Sequence, residues 1–170
     1  MSYMFYECIS LPEINVSTLN VINVRDMETM FYNCINLKDI KLFNYPTDNV
    51  IDMPEMFYRC KIRDNLYFNN FTNYKVTTMK GMFQNCYLLN NIQFNLFNTN
   101  NVDDMREMFS GCENLKKLDI SKFSHNNSSI QIDNIFRSCI NLKTVLVNHD
   151  FYEIFRNKLI RTITILNVEK

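Results

Sequence analysis

Glycine and proline are nearly missing from this chain, with 2 and 3 copies in 170 residues. That scarcity excludes collagen-like and flexible-linker classes, which depend on them. Tryptophan is absent, yet 14 Phe and 9 Tyr supply ample apolar mass for a core. Neither sign of charge predominates, because 18 basic residues balance 18 acidic ones. Composition therefore carries no electrostatic footprint for nucleic acid or an anionic membrane. No apolar run approaches the roughly 18 residues of a membrane span, and no basic-plus-apolar leader opens the sequence. Asparagine is abundant, as in Asn90-Asn91 and Asn100-Asn101. It reads as compositional drift, in a residue that tolerates left-handed backbone and can stand in for glycine.

What is present is a repeat. The core Met-Phe-x-x-Cys begins at Met4, Met30, Met56, Met82 and Met108, and recurs with Ile for Met at Ile135. The spacings are 26, 26, 26, 26 and 27 residues, which places Cys8, Cys34, Cys60, Cys86, Cys112 and Cys139 in one register. A fixed period of this size is the signature of units that bury their apolar faces on one another.

Within a unit, Val50, Met53, Met56, Phe57 and Cys60 form an apolar stripe at spacings of 3, 3, 1 and 3. That spacing predicts a short helix. After each Cys the period changes, and sets such as Leu115/Leu118/Ile120 and Leu142/Val145/Val147 end in two apolar residues two apart, as in a short strand. The fold class is accordingly an α/β repeat with one short helix and one short parallel strand per coil. Residues 1–148 make six repeats, the first incomplete, and residues 149–170 a degenerate C-terminal capping element built on Phe151, Ile154, Phe155 and Leu159. Repeat three carries Arg63 where Leu is expected, so Ile62 is expected to fill that site while Arg63 reaches solvent or an acid such as Asp64.

The run Asn101-Val-Asp-Asp-Met-Arg-Glu-Met-Phe-Ser-Gly-Cys-Glu-Asn-Leu-Lys-Lys-Leu-Asp-Ile-Ser-Lys-Phe123 resembles the units of BspA-like leucine-rich repeat proteins. The nearer likeness is to the subgroup with Asn-Val-x-x-Met-x-x-Met-Phe-x-x-Cys-x-x-Leu repeats, and it covers roughly residues 4–147. The resemblance implies a right-handed leucine-rich-repeat-like solenoid that binds proteins or adheres. It favours the cell surface or secretion, and it supplies no catalytic residues.

Zinc sites need Cys pairs two to four residues apart, whereas the cysteines here are 26 or 27 apart. A ladder of reduced, buried thiols is the expected arrangement, with Cys86→Ser leaving a hydroxyl without a planned partner. The Met pairs Met27/Met30 and Met105/Met108 read as core filler, and His125 and His149 as solvated loop residues. No metal, cofactor or catalytic group is assigned, and the chain reads as a non-enzyme.

Between the inward residues of each strand lie columns that change chemistry at every step. The candidate ligand face is Lys41, Phe43, Asn65, Tyr67, Asn91, Gln93, Lys117, Asp119 and Leu146. Variation on a constant scaffold suits recognition of a protein or glycan along the strand face. The alternatives are an architectural spacer in a longer repeat protein and an intracellular regulatory interaction domain, in which reduced cysteines are natural. At the other end the sequence starts inside a repeat, so residues 1–16 are expected to be frayed or packed on another chain, with self-association through that end.

Overall fold

The structure is a computed structural model that describes residues 1–41, 47–63, 66–68, 73–95, 97–126, 129–158 and 163–168. Its strands are β1 (Glu13–Asn15), β2 (Asp39–Lys41), β3 (Leu66–Tyr67), β4 (Ile92–Gln93), β5 (Lys117–Asp119), β6 (Thr144–Val147) and β7 (Thr164–Asn167), with α1 (His149–Lys158) between the last two. All pairing is parallel. β1 pairs with β2, β3 with β4, and β5 with β6 and β6 with β7. The register follows the repeat: Ile14 faces Ile40, Leu66 faces Ile92 and Leu118 faces Val145. Alternation does the rest. Leu66, Ile92, Leu118 and Val145 are buried, while Tyr67, Gln93, Lys117 and Asp119 beside them are exposed.

The predicted helix of each repeat is not there. Among the described residues the one α-helix is α1, and the Met-Phe segments are runs of tight turns stacked on one another. In the second repeat Met30 N–H donates to Met27 O, Tyr32 to Thr29 and Cys34 to Phe31, each three residues back. The alternate donors leave the repeat: Met27, Thr29, Phe31 and Asn33 donate to Asp52, Pro54, Met56 and Tyr58 of the next one, at 2.7–3.0 Å. A helix would close all these N–H groups on its own carbonyls and leave none for the neighbouring coil. Two residues per repeat take positive φ to keep the run out of helical geometry, as at Thr29 and Asn33 or Gly81 and Asn85. Both glycines of the chain stand at such positions, and Asn33, Asn85 and Asn134 fill others as expected of asparagine. Gly111 has little alternative: at φ +73° an added Cβ would come within 3.2 Å of Asn85 Cα and collide with Asn85 Oδ1.

Five of the six thiols have a partner in the preceding repeat. Cys34, Cys60, Cys86, Cys112 and Cys139 donate through Sγ to the carbonyls of Phe5, Phe31, Phe57, Phe83 and Phe109, at 2.9–3.2 Å. Each of those carbonyls also accepts the backbone N–H of the Cys in its own repeat, at 3.1–3.2 Å. The expectation that Ser at position 86 would lack a partner is therefore corrected, since Phe57 O stands 3.0 Å from Cys86 Sγ. Cys8, in the first coil, is only half-buried. Beside the thiols, the rings of Phe5, Phe31, Phe57, Phe83, Phe109 and Phe136 stack at 5.3–6.0 Å between centroids. Each such pair adds about 0.5–1.5 kcal/mol beyond area burial.

Asparagine is not drift. Asn36, Asn49, Asn90, Asn101 and Asn141 donate through Nδ2 to carbonyls of Ile9, Ile22, Arg63, Tyr74 and Glu113 in the preceding repeat, at 2.6–3.0 Å. A second polar column lies inside the coil, where Thr99 Oγ1 donates to Ser124 O at 2.7 Å and accepts Ser124 N–H at 2.8 Å. Asn73 bonds the backbone of Asn98 in the same two-way manner. One period beyond Thr99 comes His125, whose ring packs edge-on to Phe151 at 5.2 Å rather than sitting in solvent. Ile62 is buried and Arg63 exposed, the shift expected of that repeat.

The first coil is docked rather than frayed: Tyr3, Phe5 and Glu7 donate backbone N–H groups to Glu28, Met30 and Tyr32. At the other end Asn148 caps α1, its Oδ1 accepting Phe151 N–H at 3.0 Å. Phe151 and Phe155 are fully buried against Phe123 and Phe136.

Three outcomes follow from this packing. Cys86→Ser keeps a donor and should cost about 1 kcal/mol, whereas Cys86→Val removes it, crowds the stack and should cost about 1–3 kcal/mol. A milder effect of Val in urea unfolding would reduce the thiol to an apolar filler. Gly111→Ala should lower the urea midpoint by more than the same change at Gly81, where the nearest obstacles are flexible side chains. Burial pushes the Cys86 thiol up to about 12 and that of Cys139 to about 11, from 9.0. Since these raised values favour the protonated thiol in the fold, their contribution is intact below about pH 9 and is lost between there and pH 11–12. Urea midpoints should hold to about pH 8.5 and fall above it, and a midpoint unchanged at pH 10.5 would contradict the buried ladder.

Candidate functional site

The strand face is built by exclusion. Inward positions are taken by Leu, Ile and Val, so the residues between them project outward. Tyr67 is 37% exposed. Gln93, Lys117 and Asp119 are exposed, and Asn91 and Leu146 half-buried. Register brings them together across repeats, with Tyr67 facing Gln93 and Asp119 facing Leu146. The backbone of Lys41 pairs with Asn15 in the first sheet. Phe43 and Asn65 lie outside the described residues.

Between β4 and β5 this face is recessed. Asn91, Gln93, Lys117 and Asp119 line a groove of about 330 Å³, together with Asn95, Ser121 and Lys122. Ile92 and Phe94 also border it, with their side chains buried in the core. A second recess of about 590 Å³ continues from it through Ser121 and Lys122, bounded by Ser124, Asn148, His149 and Asn167. The column reading missed Lys122 and this extension. Lys122 falls just past the strand, in the turn that leads away from it, and His149 and Asn167 belong to the irregular end of the chain, where no period points to them.

Asp119 is held in place. Its Oδ1 accepts both the N–H of Ser121 at 3.0 Å and the Ser121 hydroxyl at 2.7 Å. Asn15 and Ser17 make the same turn in the first repeat. This leaves the second carboxylate oxygen of Asp119 for the groove. Among the described residues no carboxylate lies within ion-pair distance of Lys117 or Lys122.

Charge is balanced over the chain but clusters locally. Asp26, Glu28, Asp52 and Glu55 crowd the turn ladder of the second and third repeats. Burial, then Asp26, Glu55 and Asp52, hold the Glu28 carboxyl above its ordinary range. Further along, burial also pushes Asp104 up, but hydrogen bonds and charge from Arg106, at 3.0 and 2.7 Å, outweigh it and hold the carboxyl below its usual range. Near β5, Lys116, Lys117, Lys122 and Lys143 are all exposed, with Asp119 among them. Among the described residues no three Cys, His, Asp or Glu side chains converge as a metal-ligand set, and no helix is long and apolar enough to cross a membrane.

Comparison with known proteins gives three results. No curated protein matches the chain. Among solved structures, a leucine-rich repeat protein from Bacteroides ovatus ATCC 8483 aligns over 96% of this chain and 56% of its own, at 15% identity and a TM-score of 0.31. This chain thus spans little more than half of that protein's length. A family match covers residues 1–116 and again 63–159, which together include most of the sequence. On that match, the chain belongs to the family described as Mycoplasma protein of unknown function, DUF285.

Proposed function

We propose that this chain is a non-enzymatic recognition module, a BspA-like, right-handed leucine-rich-repeat solenoid that binds a protein or glycan along its strand face. Residues 149–170 close its C-terminal end. The observation that carries the reading is the groove between β4 and β5, where Asn91, Gln93, Lys117 and Asp119 from two successive repeats meet in one recess. Recessed sites with a few convergent polar groups are the usual form of a binding site, and solenoids place variable residues on such a surface while constant columns hold the core. Exposed Tyr67 beside it supplies an aromatic anchor of the kind that dominates binding energy.

Selection from a peptide-display library and from an immobilised glycan panel, on the full chain, tests the reading. Ligands should lose about tenfold or more in affinity with Tyr67→Ala and Gln93→Ala, and should keep it with Tyr32→Ala on the turn side. The opposite pattern would remove the strand face from the function.

A second contact surface is favoured by an observation of its own. Glu28, Met30 and Tyr32 each accept a backbone bond from the first coil, but their counterparts Ser2, Met4 and Tyr6 accept none among the described residues. Tyr3, Met4, Tyr6 and Ile9 are exposed around them. A row of open carbonyls amid apolar side chains invites association. Light scattering should show mass rising with concentration, less so in Tyr6→Glu; a constant monomer mass would exclude this surface.

A further inference from the structure

We infer that the groove between β4 and β5 recognises an extended peptide segment bearing carboxylate side chains; this rests on the recognition reading above and names its ligand class. The groove presents Lys117 and Lys122, each exposed and without a carboxylate at ion-pair distance among the described residues. Lys116 and Lys143 stand exposed one residue ahead of the paired strand residues and extend the positive field beyond the groove. Two ammonium groups in a recess with no counter-ion among the described residues, in a chain whose charges sum to zero, are a complementary surface for carboxylates.

Asp119 narrows the class. It lies two residues from Lys117 on the same face of β5, and its carboxylate is fixed by Ser121. A uniformly anionic polymer would set negative charge against it. An extended peptide alternates its groups at nearly the spacing of the strand beneath, about 6.6–6.8 Å for every second residue. It can therefore offer carboxylates to the lysines and a backbone N–H to Asp119. Gln93, with both donor and acceptor, matches the remaining peptide groups.

The test is the composition of peptides that the full chain selects from a random display library, followed by binding of a synthetic selected peptide. Glu or Asp should be enriched at alternate positions. Binding should weaken by about tenfold or more in the Lys117→Glu/Lys122→Glu variant and should fall as salt is raised from 50 to 300 mM, since exposed pairs are screened. Both lysines are exposed, so the variant should unfold at the wild-type urea midpoint, which separates lost binding from lost fold. Strand-face peptides without acidic residues, or insensitive to the double variant, would overturn the inference and leave the recognition reading standing. So would a glycan bound at Gln93 with no peptide selected. Binding of heparin or duplex DNA abolished by the same variant, with no acidic peptide selected, would replace the peptide with a polyanion. Ligands indifferent to every strand-face substitution would remove both readings.

Discussion

The structure depends on one division of labour among backbone N–H groups. Along the Met-Phe-x-x-Cys runs of the first five repeats, alternate donors close turns within the repeat and the others bond carbonyls of the next repeat. Neither set suffices alone. Local turns without the outgoing bonds would leave repeats that cohere only through apolar contact, and outgoing bonds without turns would give a strand too extended to return the chain. The Phe carbonyl is where the two systems meet, because it accepts the Cys N–H of its own repeat and the Cys thiol of the following one. A carbonyl has two lone pairs, and burial of an unmet acceptor is costly. Cysteine fits there as a small, mostly apolar side chain that can still donate.

That constraint explains which parts of the fold could be read from residue spacing and which could not. Period, strand positions and inward columns were legible because burial on a stacked strand demands the same side chain at the same step, as Leu66 and Ile92 or Leu118 and Val145 show. The turn runs were misread as helices for a physical reason. Apolar residues at intervals of three and four satisfy one face of a helix, and they satisfy equally a succession of three-residue turns whose apolar side chains point inward. The discriminating signal was small: Gly81 and Gly111, with Asn33 and Asn85, in the places where φ is positive. Thr29, Glu55 and Arg59 take the same conformation with no hint in their identity, because the outgoing bonds on either side impose it. Asparagine was undervalued likewise, since its role depends on a carbonyl one repeat away that composition does not reveal.

The candidate site was half legible. Column logic found Gln93, Lys117 and Asp119, because outward residues of a strand follow from inward ones. It could not find Lys122, which enters the groove from a turn, nor show that β4 and β5 leave a recess there. Charge was the larger omission. A sum of zero holds for a molecule with evenly mixed charge and for one in which several lysines gather near β5. Only placement separates them, and the two differ in what they attract.

Placement also bears on why recognition would sit on the strands rather than on the turns. In the second to fifth repeats most N–H groups along a turn run bond within their own coil or to the next, and the Phe stack and the positive-φ residues lie along the same run. Substitution there disturbs the interaction that keeps the repeats together. On the strands the same stacking fixes the backbone but leaves alternate side chains without structural duty, so Tyr67, Gln93 and Lys117 can differ at no cost to the core. Parallel pairing holds Tyr67 beside Gln93 and Lys117 beside Thr144, at about 4.8 Å between strands. The bonds that forbid variation on one side of the coil thus make the other side a rigid array of side chains free to vary.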